Sequence, residues 1–212
     1  MLPVLYSFRR CPYAMRARMS LILSSTQCEL REVLLKNKPK VMINISPKGT
    51  VPILNLHGEI LEESLDIIKW ATKKNSSKLH SFSQSESSSS NYFIDLFDTQ
   101  FKYHLDRYKY PERFADLSND HQQECLKILF KLEDLMDAKP WIFGKTISLL
   151  DICILPFIRQ CKIANPDWFK AQGCTKVIDL LAHFELSELF LRSMEKFDVW
   201  NPEDPQVNIF PK

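Results

Sequence analysis

Glycine is scarce in this chain of 212 residues: Gly49, Gly58, Gly144 and Gly173 are the whole supply, and no two stand close together. A Walker loop and a Rossmann fingerprint both need clustered glycines, so nucleotide chemistry of those two kinds is excluded. No run of about eighteen apolar residues occurs, and residues 1–10 lack the apolar stretch and small-residue cleavage site of a signal peptide. A cytoplasmic protein that does not cross a membrane is expected. The six cysteines include no C-x-x-C pair and the five histidines no H-E-x-x-H, so the usual zinc spacings are missing and no metal is expected. With 45% hydrophobic and 25% charged residues, the chain has the composition of a globular protein with free thiols.

What is present is distributed unevenly. Residues 1–74 hold twelve lysines and arginines against six acids, net +6; the remainder holds sixteen against twenty, net −4. The first third therefore suits an anionic ligand. Its basic residues are interleaved with apolar segments and form no long tract, which argues against nucleic acid. Residues 75–91 are polar, with Ser81, Ser83, Ser85 and the run Ser87 to Ser90, and read as a linker between two domains.

Before the linker, strand-like and helix-like stretches alternate. Pro3 to Phe8, Cys28 to Leu35, Val51 to Leu56 and Gly58 to Leu61 have strand character; Pro12 to Ser24, Lys38 to Ile45 and Ser64 to Thr72 have helix character. The β-α-β-α-β-β-α order over residues 1–74 predicts a small mixed sheet, its first two strands parallel and its last two an antiparallel hairpin. That is the thioredoxin-like arrangement. Residues 92–212 predict an all-α domain: Phe93, Phe97, Phe101 and Leu105 recur at four-residue steps, and Cys125, Leu129, Leu132 and Met136 trace a second stripe. Ser148-Leu149-Leu150-Asp151 reads as a capping box with Asp in place of Glu. The tail holding Pro202, Pro205 and Pro211 is expected to be irregular.

The most informative segment is Phe8-Arg9-Arg10-Cys11-Pro12-Tyr13-Ala14, which sets a cysteine between a strand and a helix whose first residue is proline. Proline there costs no helical hydrogen bond and leaves Cys11 facing unpaired backbone N–H groups. Those groups favour a thiolate, and Arg9, Arg10, Arg16 and Arg18 add positive potential, so Cys11 is predicted to be nucleophilic near neutral pH. A small buried residue is the commoner fate of an unpaired cysteine. Strand, Cys-Pro and helix together outweigh it here, and the other five cysteines lack that context. Three places after Cys11, where a dithiol oxidoreductase has its resolving cysteine, stands Ala14. The resolving thiol must come from outside, and in a cytoplasm glutathione is the natural source. The Lys36-Asn37-Lys38-Pro39-Lys40 run supplies cations for its carboxylates, although a solvated charge run is an equal reading for any one lysine. If the bond between Val51 and Pro52 is cis, the Val51 backbone can pair with the peptide as an added strand would. Glu63 can meet its ammonium, and Ser64 at a helix start can hold a carboxylate or act as a plain N-cap. The histidines form no recognisable constellation and are assigned no role.

Cys11-Pro12-Tyr13-Ala14, Leu35-Lys36-Asn37-Lys38-Pro39, Thr50-Val51-Pro52, Glu62-Glu63-Ser64 and Ser148-Leu149-Leu150-Asp151 follow the order and approximate spacing of cytosolic glutathione transferases. The chain resembles that superfamily over nearly its whole length and looks most like the omega class and its bacterial relatives. The resemblance implies a glutathione transferase fold and a homodimer. It implies glutathione as cosubstrate, held by Tyr13, Lys38, Val51, cis-Pro52, Glu63 and Ser64, with Cys11 as the catalytic thiol. Thiol transfer or reduction, including dehydroascorbate-reductase-type activity, is the implied reaction on a small disulfide or electrophile. Conjugation of an electrophile to glutathione, and a non-enzymatic protein of this fold that binds a macromolecule, are the alternatives. An acceptor pocket is placed near Phe101, His104 and Tyr108, a face that is equally a helix core stripe. Tyr6 and Ser7, inside or near the end of the first strand, lack the helix-start position that a catalyst needs.

Overall fold

The computed structural model describes residues 1–114, 120–136, 140–203 and 207–212. The chain forms two compact units, one of Met1–Lys78 with Ser187–Lys212 and one of Leu79–Leu186.

The first unit begins with β1 (Val4–Ser7), α1 (Pro12–Leu23), β2 (Cys28–Glu32), α2 (Lys40–Ile45), β3 (Ile53–Asn55), β4 (Ile60–Leu61) and α3 (Ser64–Lys74). This is the predicted thioredoxin-like order. Strands β1 and β2 are parallel with Leu5 opposite Leu30, while β3 runs antiparallel to both β1 and β4. Side chains alternate across the sheet, as the period of two requires. Leu5, Leu30 and Leu54 pack on one face with Ala17 and Leu21 of α1 and Ile67 and Ala71 of α3; Val4, Tyr6 and Ile53 pack on the other with Val33, Met42 and Val51.

The second unit contains α4 (Gln84–Leu96), α5 (Lys102–Lys109), α6 (His121–Leu135), α7 (Leu149–Ala164), α8 (Pro166–Lys170) and α9 (Thr175–Leu186), a helical unit as predicted. Phe93, Phe97, Phe101 and Leu105 are all buried. A step of four residues overruns an α-turn of 3.6, so such a stripe drifts round a regular helix. The wide π-turn at Phe97–Phe101 compensates, and the Phe97 and Phe101 rings stack at 4.4 Å. The predicted cap of α7 is present: the Ser148 Oγ accepts from the Asp151 N–H at 3.3 Å, and the Asp151 carboxylate accepts from the Ser148 N–H at 2.7 Å and the Ile142 N–H at 3.2 Å. No helix among the described residues is long and apolar enough to cross a membrane.

Two readings of the sequence are corrected. Half of the supposed serine linker is helical. Ser83 caps α4, its Oγ accepting from the Glu86 N–H at 3.3 Å while Glu86 accepts from the Ser83 N–H at 2.7 Å, so the polar stretch is the exposed first turns of a helix whose buried residues come later. The tail also returns to the first unit. Helix α10 (Glu188–Ser193) packs on α1, and β5 (Ile209–Phe210) extends the sheet to the order β4-β3-β1-β2-β5 by pairing antiparallel with β2. The second unit thus ends at Leu186 and not at the C-terminus, and the tail is irregular only in part. Pro205 lies outside the described residues.

Candidate active site around Cys11

Topology gathers the candidate residues at one end of the sheet. Strands β1 and β2 finish there, β3 starts there, and β4 runs back toward it, with Leu61 opposite Leu54. The turn holding Cys11, the loop after Glu32, the Val51–Pro52 peptide and the start of α3 all lie at that end.

Cys11 is the N-cap of α1, in extended conformation, with Pro12 in the first helical turn. Its carbonyl accepts the first helical hydrogen bond from Met15 at 2.9 Å, and its own N–H is satisfied by the Phe8 carbonyl at 2.9 Å. The thiol makes no capping bond. It lies 3.7 Å from the Val51 carbonyl oxygen, and the Val51–Pro52 peptide is cis. Cys11 is half-buried, whereas Cys28, Cys125, Cys153, Cys161 and Cys174 are fully buried. Burial pushes the Cys28 thiol up to about 12 and the Cys174 thiol to about 11; the Cys125 thiol is raised by its hydrogen bond with the free Cys161 thiol and by burial. Those thiols are held in the neutral, unreactive form.

Lys38 is exposed on the segment before α2 and reaches back over Gly49. A side chain at Gly49 would place its Cβ 3.7 Å from the Lys38 Nζ and 3.1 Å from Ile43, and the backbone there has φ of +63°, so glycine answers both demands. Glu63 is exposed and already pairs with the Lys48 ammonium. It, and not Ser64, is the N-cap of α3, and its side chain makes no cap bond. Ser64 is the first helical residue, is buried, and accepts from the Arg16 Nη1 at 3.4 Å. The Arg16 guanidinium also lies 5.3 Å from the centre of the Tyr13 ring. Tyr13, Arg16 and Ser64 are thereby linked, an arrangement invisible in the sequence because α1 is buried almost all round and Arg16 carries no periodic signal.

The arginines near Cys11 divide by role. Arg18 is wholly buried and forms an ion pair with Glu32; its Nε donates to the Ser7 Oγ at 2.8 Å and its Nη1 to the carbonyls of Ser193 at 3.2 Å and Glu195 at 3.1 Å. The period of two puts Glu32 on the buried face of β2 with Cys28 and Leu30, and Arg18 answers that charge. Burial lowers the Arg18 pKa and raises that of Glu32, with the pairing opposing both shifts. Arg18 therefore fastens the returning tail and spends its charge on Glu32, a correction to its predicted part in activating Cys11. The buried Tyr6 hydroxyl accepts from the Arg31 Nη1 at 2.7 Å, and the buried Ser7 Oγ accepts from Arg18, so both are structural.

In the second unit Phe101 is fully buried against Phe97, which corrects its placement in an acceptor pocket. The Tyr108 hydroxyl accepts from Gln122 at 3.0 Å and its ring meets Trp168 edge-on. His104 was given no constellation, yet its Nδ1 lies 2.9 Å from the Nδ1 of buried His121. Burial and His121 lower the His104 pKa. Seventeen residues separate the two histidines, and only the packing of α5 on α6 joins them.

Residues 5–78 match the family model of the glutathione S-transferase N-terminal domain, the stretch that contains every glutathione-contact candidate. Residues 5–78 are a glutathione S-transferase N-terminal domain. The chain is similar to glutathione S-transferase omega-1 of Rattus norvegicus, 26% identical over 203 residues, covering 90% of this chain and 76% of the relative. Glutathione S-transferase L3 of Arabidopsis thaliana is 26% identical over 173 residues, with 78% and 69% covered. Among solved structures, glutathione transferase Omega 3C of Trametes versicolor superposes with a TM-score of 0.76 at 21% identity, covering 93% of this chain and 91% of that one. A glutathione transferase family member of Pseudomonas fluorescens, solved with two glutathione bound, gives 0.75 at 18% identity with 92% of each covered. The superpositions establish the glutathione transferase fold, and omega-class glutathione transferases are among the proteins to which the chain is similar in sequence.

Proposed function

We propose that the protein is a glutathione-dependent thiol transferase in which Cys11 carries the covalent chemistry. The observation that supports this reading most directly is the half-buried Cys11 thiol at the N-terminus of α1, uncommitted to capping, in a chain whose other thiols are fully buried. The α1 backbone N–H groups stabilise its thiolate. The Cys11 thiolate attacks the glutathionyl sulfur of a mixed disulfide, forming a Cys11–glutathione disulfide; the original S–S bond breaks and the substrate thiolate leaves and takes a proton from water. A second glutathione thiolate attacks the bound glutathionyl sulfur, yielding glutathione disulfide and regenerating Cys11. One disulfide is consumed and one formed, so electrons balance.

Glutathione is held, in this reading, by the residues at the same end of the sheet. The Val51 backbone pairs with its cysteinyl residue, Lys38 meets a carboxylate, and Glu63 exchanges its Lys48 partner for the peptide ammonium. The start of α3 at Ser64, steadied by Arg16, receives the other carboxylate. Tyr13 bounds the site beside Arg16. The test is turnover of a glutathione mixed disulfide by Cys11→Ala, which is expected to fall at least a hundredfold, the scale of a lost nucleophile. Full activity in that variant overturns the proposal.

A further inference from the structure

Two histidines that the chemistry at Cys11 leaves unused meet where α5 packs on the start of α6. The His104 and His121 Nδ1 atoms are 2.9 Å apart, and the rings are tilted at 41° with their centres 5.1 Å apart. Tyr103 stands edge-on to both rings, and the Arg107 guanidinium lies 3.5 Å from the centre of the Tyr103 ring. His121 is buried and is the first residue of α6; His104 is half-buried.

A hydrogen bond between two ring nitrogens needs a proton on one of them and a lone pair on the other. The surroundings of His121 decide which has the proton. Its Nε2 is buried and has no hydrogen-bond partner among the described residues, so a proton there would be a donor left unpaired. The proton of neutral His121 therefore sits on Nδ1 and is donated to His104, an assignment made from the hydrogen-bond network. His104 then carries its own proton on Nε2, on a ring that solvent reaches.

This contact has no place for another proton. One arriving at His104 can enter only at Nδ1, where it confronts the His121 N–H; the bond survives only if His121 moves its proton to the buried Nε2. Neighbouring charges do not relieve the conflict. Arg107 and Lys127 oppose a charge on His104, and Glu124, which favours one, is paired with Lys127 at 2.6 Å. Asp106 of α5 pairs with Lys102, and Asp120 accepts from the Gln123 N–H at 3.1 Å. A charge on His121 is opposed by the positive end of α6. Burial and the adjoining His121 hold the His104 pKa below its ordinary value of 6.5.

We propose that the His104–His121 contact is an acid-released link between α5 and α6, closed while both rings are neutral and broken when His104 is protonated. The protonated ring turns to solvent, and the Tyr108–Gln122 hydrogen bond, one turn further along α5, loses its neighbour. A base whose folded pKa is lowered binds fewer protons when folded. The link's contribution to stability is therefore present above the unfolded value of 6.5 and lost as pH falls through the lower folded value. It is independent of any chemistry at Cys11.

Ring correlation spectra of the full chain carrying nitrogen-15 histidine, followed from about pH 8 to about pH 5, test the proposal. At the upper end the expected result is a proton on Nδ1 of His121 and on Nε2 of His104. On acidification His104 should titrate below 6.5, and the His121 ring signals should change with the same midpoint. Denaturant unfolding of His104→Gln supplies a second reading: the wild type should lose stability relative to this variant as pH falls over the same range, the titration of Asp151 being common to both. A proton on the His121 Nε2 at neutral pH, a His104 midpoint at or above 6.5, or a His121 ring indifferent to the titration of His104 would overturn the link. So would parallel stability curves for the wild type and His104→Gln.

Discussion

Six thiols share this chain, and their surroundings sort them by a single criterion, access of water and of backbone N–H groups to sulfur. Five are buried, and Cys11 alone combines partial exposure with a helix N-terminus. Under native conditions at pH 7 iodoacetamide is therefore expected to label Cys11 alone, with the other five reacting only after unfolding, as peptide mapping by mass reads out. Simultaneous labelling of Cys28 or Cys174 would show that the core opens more readily than this packing allows. Ser64 belongs to the same scale. Ser64→Ala removes a hydroxyl that accepts from Arg16, and the expected result is KM for glutathione raised about tenfold, the worth of a charge-assisted hydrogen bond, with kcat nearly unchanged. The places of Cys11, Val51 and Ser64 at the starts of elements were legible in the sequence because proline and hydroxyl residues punctuate such starts. Arg16 was not, because nothing in the spacing of a buried helix says which of its arginines meets a side chain from 48 residues away.

At the scale of elements, the caps carry the clearest energetics. Asp151 is wholly buried at the start of α7, and burial, opposed by the bonds from Ser148 and Ile142, raises its pKa to about 6. An acid whose folded pKa lies above its unfolded value of 3.8 binds more protons when folded, so its contribution to stability declines as pH rises through the window from about 4 to about 6. The cost at neutral pH is about 3 kcal/mol for a shift of roughly two units. Asp151→Asn keeps an acceptor without the charge. Denaturant unfolding is therefore expected to show the variant gaining on the wild type between pH 4.5 and pH 7; a difference independent of pH would contradict the assignment. Helix α4 shows why one element escaped sequence reading. Ser83-Gln84-Ser85-Glu86 is a sound capping box, yet the serines that follow place no apolar residue in the first turns, and composition outweighed the cap.

The whole molecule is shaped by a tail that travels back to its beginning. Charge and packing both fix it: Arg18 of α1 donates to the Ser193 and Glu195 carbonyls, and Phe210 is buried between α1 and β2 beside Leu30. Phe210→Ala is expected to cost about 3–5 kcal/mol in denaturant unfolding, the usual range for an emptied aromatic site. A loss below about 1 kcal/mol would mean that β5 contributes little to the sheet. The order of elements over residues 1–74 could be read from alternation and turn residues because each step is local. The return of residues 187–212 could not, since a two-residue strand followed by proline has no periodic pattern and its partner lies far away in the chain. That same return packs Lys196 to Val199 against the turn of Phe8 to Arg10 that leads into the first helix.

The central claim is that the Cys11 sulfur accepts a glutathionyl group at neutral pH. Intact-mass measurement after incubation with glutathione disulfide tests it most directly, comparing the wild type with Cys11→Ser. The account predicts one glutathione added to the wild type and none to the variant. An unmodified wild type, or the same adduct on both proteins, would contradict it.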